Sequence, residues 1–100
     1  MPKRKRITQK LVREVLKGRA FHLDSPPTYL YRYAELAPGM SIREYKHNSR
    51  GKQQCFYTVT AYLGSDVPIH WDSIQMVSLK EAITWANDHV EDASRHWLNE

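Results

Sequence analysis

The spacing of hydrophobic and polar positions along this chain of 100 residues changes period twice. Leu11, Val12, Val15 and Leu16 recur at i, i+1, i+4 and i+5, which draws one stripe on an α-helix while Lys10, Arg13 and Lys17 fall on its other faces. Thr8 is placed as N-cap, Ile7 as the staple residue that packs on Val12, and Gly18 as the stop. A helix of about ten residues does not persist alone, so the stripe must dock on the rest of the domain. Ser25-Pro26-Pro27 ends regular structure, and beyond it the period shortens to two. Thr28–Leu36 alternates Tyr29, Tyr31 and Tyr33 with Leu30, Arg32 and Ala34. Pro38-Gly39 turns the chain and Met40–His47 continues extended. Asn48-Ser49-Arg50-Gly51 reads as a hairpin turn in which Gly51 takes a positive φ.

Gln54–Leu63 is the clearest strand, with Cys55, Tyr57, Val59, Ala61 and Leu63 on one face and Phe56, Thr58, Thr60 and Tyr62 on the other. Gly64-Ser65-Asp66 ends it. Val67–Val77 reads as a short, broken extended stretch, in which Pro68 is incompatible with a central strand. The period then returns to that of a helix. Ser78-Leu79-Lys80-Glu81 fits a capping box, and Leu79, Ala82, Ile83, Ala86, Val90, Ala93 and Trp97 share one face over about five turns. The pattern predicts an α+β fold: a short N-terminal helix, an antiparallel sheet of three to four strands, and a long C-terminal helix packed on the sheet. Residues 1–6 carry no apolar period and form a basic arm, expected to be disordered, ahead of a single domain over residues 7–100.

Charge sharpens this picture. The first nineteen residues hold eight of the fifteen Lys and Arg against one acid, Glu14, while the whole chain is +4. Clustered cations gain from releasing the counterions condensed on phosphates, so this arm predicts a polyanionic partner; a solubilising tail is the plainer reading of the same residues. The C-terminal helix is acidic through Glu81, Asp88, Glu91, Asp92 and Glu100, which disfavours it as a groove reader. Cys55 has no partner for a disulfide, and no leader or long apolar run is evident. A soluble protein of a reducing compartment is expected, cytoplasmic and nucleoid-associated if bacterial, or nuclear if the Lys3–Arg6 run acts as a localisation signal.

Three groups of residues are candidates for nucleic-acid contact. The first is the arm and first helix: Lys3, Arg4, Lys5, Arg6, Lys10, Arg13, Lys17 and Arg19. The second lies on the sheet. If Met40, Ile42, Cys55, Val59, Ala61 and Leu63 face the long helix, alternation sends Arg43, Tyr45, Phe56, Thr58 and Tyr62 to the opposite face, with Tyr31 and Tyr33 as further members. The first helix must bury its stripe somewhere, and this same face is available, so the sequence leaves open whether the rings are covered. The third group is the hairpin, where Lys46, Arg50 and Lys52 extend the footprint of the arm.

Chemistry beyond binding finds little support. His89, Asp92 and His96 share a stripe of the last helix, yet such stripes are ordinary on a solvated face, so no metal site is expected. His70-Trp71-Asp72 on an extended chain is not read as an acid–imidazole pair, and Cys55 alternates with core positions as a small hydrophobe. No cofactor and no catalytic residue are expected, and the protein is read as non-enzymatic.

From the basic hairpin through Gln53–Val59 to Val77-Ser78-Leu79-Lys80-Glu81-Ala82-Ile83-Thr84-Trp85-Ala86-Asn87, the layout resembles two small prokaryotic families. One is the CedA-like cell-division activators, with a three-stranded sheet and a helix carrying a similar Ala-x-x-Trp-Ala-Asn run; the other is the arm-type DNA-binding domain of phage integrases. The resemblance leaves out the first helix and Val67–Val77, and the acidic last helix departs from a strongly basic pattern. It implies DNA binding through Arg43, Tyr45 and Phe56 on the sheet together with the Lys3–Arg6 arm. The expectation is therefore a nucleic-acid-binding accessory or regulatory protein, with duplex DNA favoured over RNA and no membrane partner. The competing expectation is a small phage or mobile-element protein that inhibits a host protein through its Tyr-rich sheet or acidic helix.

Overall fold

The computed structural model describes residues 6–24, 29–63 and 70–98. The elements follow in the order α1 (Gln9–Leu16), β1 (His22–Asp24), β2 (Tyr29–Ala37), β3 (Met40–Ser49), β4 (Lys52–Leu63), β5 (His70–Val77) and α2 (Leu79–Leu98). The strands form one antiparallel meander in sequence order, β1-β2-β3-β4-β5. Arm residues Lys3, Arg4 and Lys5, the breaks at Ser25-Pro26-Pro27 and Gly64-Ser65-Asp66, and Pro68 lie outside the described residues.

The fold class is α+β as expected, but the sheet has five strands rather than three or four. β1 is three residues long, too short to show a period. β5 is disguised by a bulge: Tyr57 pairs with Val77 and Val59 with Ile74, so β5 carries one extra residue there, and Met76 takes a φ of 56°. A single inserted residue switches the faces of everything after it, which erases alternation in the sequence while the strand continues.

Local signals placed the remaining elements. Thr8 Oγ1 accepts from the Leu11 amide at 3.2 Å, and Ile7 and Val12 are both buried, as the staple requires. Gly18 ends α1 at φ 78°. Ser78 Oγ accepts from the Glu81 amide at 3.2 Å, although the Glu81 carboxylate returns to the Ser78 hydroxyl at 3.1 Å rather than to its amide. Ser49 pairs with Lys52 across a two-residue turn in which Arg50 and Gly51 both have positive φ, 51° and 77°.

Both helices pack on the same face of the sheet. Ile7, Val12 and Leu16 from the α1 region join Ala82, Ala86 and Ala93 of α2 over Ala34, Leu36, Met40, Ile42, Tyr57, Val59 and Ala61 in one core. α1 lies against β2 and α2 mainly against β4, where the three alanines let the helix approach closely. Asn87 ties the two together: its side chain accepts from the Ile7 amide and donates to the Ile7 carbonyl, both at 2.9 Å. Cross-strand rows on this face grade from apolar to polar toward the β3–β4 hairpin. Val59, Ile42 and Ala34 are followed by Tyr57, Glu44 and Arg32, and then by Cys55, Lys46 and Leu30. Neither helix reaches the last row, so Cys55 is exposed and not the buried hydrophobe its alternation predicts. No helix among the described residues is long and apolar enough to cross a membrane.

Candidate nucleic-acid interface

Pleating carries the alternate residues of each strand to the face that neither helix covers. His22 pairs with Tyr31, Tyr31 with Tyr45, and Tyr45 with Phe56, so four rings stand in one row across β1, β2, β3 and β4. The His22 and Tyr31 centroids are 5.4 Å apart and those of Tyr31 and Tyr45 5.7 Å. Tyr33 extends the field along β2, 6.4 Å from Tyr31 and 5.8 Å from His22. On the hairpin side Tyr29 meets Tyr45 edge-on at 6.3 Å and stacks on His47 at 4.7 Å. Aromatic neighbours stabilise a sheet face. They do not account for its exposure, since Tyr33 keeps 52% of its surface in solvent.

Arg43 lies over this field, its guanidinium 5.5 Å from the Tyr31 centroid and its Nη1 donating to the Tyr45 hydroxyl at 3.4 Å. His47 Nδ1 is buried without a hydrogen-bond partner among the described residues. Farther along β4, Tyr62 and Trp71 form an edge-to-face pair at 3.8 Å, with Trp71 59% exposed.

Arg43, Tyr45 and Phe56 thus come together as predicted, with Tyr31 and Tyr33 beside them. Lys46 does not join them: its parity puts it on the helix side, where its ammonium sits 4.8 Å from the centroid of the Phe21 ring. Arg50 and Lys52 are exposed at the hairpin tip. A residue without special backbone freedom costs about 1–2 kcal/mol in the left-handed conformation that Arg50 adopts, where Asn or Gly would serve the turn better. Arg6, Lys10, Arg13, Lys17 and Arg19 are all exposed, and α1 carries its cations on the helix side of the sheet, away from the ring row. His22 and Tyr29 are members that sequence reasoning missed. Alternation exposed the parity of Tyr29, but its register against His47 was not legible, and His22 sits in a strand too short to announce itself.

Beneath α1 a cleft of about 420 Å³ has Glu44, Tyr57 and Arg32 among its walls and Arg13 and Lys17 beside them. Glu44 is 8% exposed, and its two oxygens accept from Arg32 Nε and from the Tyr57 hydroxyl, each at 2.8 Å. Burial, and then the hydrogen bond and charge of Glu44, push the Tyr57 phenol well above its ordinary range. The carboxylate is committed to two partners, so the cluster is built to hold the polar end of the core together. His89 stacks on Trp85 at 3.9 Å, with Nδ1 2.8 Å from the Trp85 carbonyl, an arrangement that occupies the imidazole within its own helix. Among the described residues no three His, Cys, Asp or Glu converge as metal ligands would.

Fold and face together define a one-sided α+β sheet with an uncovered aromatic surface. Comparison of the chain with protein-family models, curated proteins and solved structures finds no match. The likeness to CedA-like proteins and integrase arm-binding domains accordingly rests on the hairpin-to-helix sequence alone.

Proposed function

We propose that this protein is a non-enzymatic nucleic-acid-binding accessory protein whose open sheet face engages bases while exposed cations engage phosphates. The observation that carries this reading is the packing of both helices on one face, which leaves the His22–Tyr31–Tyr45–Phe56 row uncovered by any described element. Exposed rings on a sheet offer stacking platforms for bases, and Arg50 and Lys52 stand at one end of the field. Arg6, Lys10 and Arg13 add charge that is blind to sequence.

The test measures binding of labelled oligonucleotides by anisotropy beside thermal melting of the same samples. Tyr31→Ala and Tyr45→Ala should each weaken binding by about 1–3 kcal/mol for every base that no longer stacks, while the melting temperature changes little because both side chains lie outside the core. A fall in melting temperature with no separate binding defect would overturn the reading.

A second reading is favoured by a groove of about 560 Å³ along α2 and β5, lined by Ile74, Trp85, Glu81 and Asp88 among others. Glu81 and Asp88 outnumber Lys80, the cation of the same lining, around the Trp85 ring, and this balance suits a basic segment of a host protein, as an inhibitor would require. In that case Asp88→Lys with Glu81→Lys should abolish a protein complex and leave oligonucleotide binding unimproved.

A further inference from the structure

We infer, building on the nucleic-acid reading above, that the open face takes single-stranded DNA in preference to duplex, with unpaired bases laid on the ring row and the backbone leaving across the hairpin tip. Shape is the first argument. Five strands at about 4.8 Å spacing make a surface roughly 19 Å across, against a major groove about 12 Å wide and a minor groove about 6 Å wide. The rings stand within the breadth of that surface, so they reach base pairs only in a duplex whose groove is forced open, at a deformation cost that an unpaired strand does not carry.

The second argument is the kind of contact offered. A duplex hides the flat faces of its bases in its own stack and presents edges and phosphates. This face presents ring after ring: His22, Tyr31, Tyr45 and Phe56 in register, with Tyr33 and Tyr29 on either side of Tyr31 along β2. Stacking rewards flat unpaired bases and tolerates any sequence. The row crosses three strand gaps, about 14 Å, enough for roughly two or three bases.

Charge fits the same occupant. On the described part of the face Arg43 is accompanied by the acid Glu35, so a close-set double row of phosphates finds little to pair with there. The cations gather beyond the Tyr29–His47 end, where Arg50 and Lys52 cap the hairpin and stand ready for a single backbone as it leaves the rings. Of the hydroxyls on this face, that of Thr58 accepts from the Met76 amide at 3.3 Å and that of Tyr45 from Arg43 Nη1 at 3.4 Å, so two of the groups that could read a ribose are already engaged.

The experiment titrates the full chain with a labelled oligodeoxythymidine, a random-sequence DNA duplex and an oligouridine of equal length, at matched salt. The oligodeoxythymidine should bind at least about tenfold tighter than the duplex, and Tyr45→Ala or Tyr33→Ala should erase most of that margin. Tyr45→Leu, which keeps an apolar side chain against the sheet, should lose the margin too and keeps the test valid if the alanine variant folds poorly. Duplex binding as tight as or tighter than single strand, still sensitive to Tyr45, overturns this inference while sparing the nucleic-acid reading. Oligouridine bound tenfold tighter than oligodeoxythymidine overturns the choice of DNA. No binding to any of the three overturns both.

Discussion

Tyr57 shows how far a single side chain can tie stability to pH. Its hydroxyl donates to Glu44 inside the core, and the folded chain holds that proton more tightly than an unfolded chain, whose tyrosines titrate near 10. A pKa raised by folding gives stability that is fully present below the unfolded value and is lost as pH rises toward the folded one. Urea melts between about pH 9 and 11 should therefore show a decline of which part disappears in Tyr57→Phe, a variant that starts about 1 kcal/mol less stable at neutral pH. If both proteins decline in parallel, neither burial nor Glu44 holds the Tyr57 proton more tightly in the folded chain. At this scale the sequence was informative about parity and silent about depth. Tyr57 and Cys55 alternate together, yet one is buried and the other exposed, because depth is set by where the helices end and not by the strand.

Among the elements, α2 and the segment leading into α1 are joined through Asn87 rather than through apolar packing alone. Its amide satisfies both main-chain groups of Ile7, far away in sequence. Asn87→Asp should cost more than Asn87→Ala, since a carboxylate in place of the amide sets an oxygen against the Ile7 carbonyl, whereas alanine merely leaves two groups unpaired at about 1–3 kcal/mol each. Chemical melts of the two variants compare the costs; equal stability would mean that solvent already serves Ile7. Helix boundaries were legible because caps act over three or four residues: Thr8, Gly18 and Ser78 all sit where the pattern put them. β1 and β5 were not. A three-residue strand exists only through its partner, and a bulge breaks the period that would announce the other.

The whole molecule sets its N-terminal cations and its aromatic row on opposite sides of the sheet. Arg6 and the α1 cations stand on the helix side, while the rings occupy the other, so one short stretch of nucleic acid does not reach both. Removing residues 1–6 should flatten the dependence of log K on log salt by up to about 0.7 for each phosphate of a single strand that the arm no longer neutralises, and leave the penalty of Tyr45→Ala unchanged. The double variant should be additive within roughly 0.5 kcal/mol. Strong non-additivity would place arm and rings on the same nucleotides. Sequence alone displayed the charge cluster and the tyrosine run but not their opposition, because the face taken by α1 depends on packing between distant segments. The edge-to-face contact of Tyr62 with Trp71 has a practical consequence for such measurements. Trp71 is exposed on the ring-bearing face farther along β4, whereas Trp85 is half-buried on α2 against His89, so the two sides carry separate intrinsic fluorophores. Emission that disappears in Trp71→Phe belongs to the ring side, and emission that disappears in Trp85→Phe to the helix side. A ligand can thus be assigned to one surface by the difference spectrum it quenches, without attaching any dye.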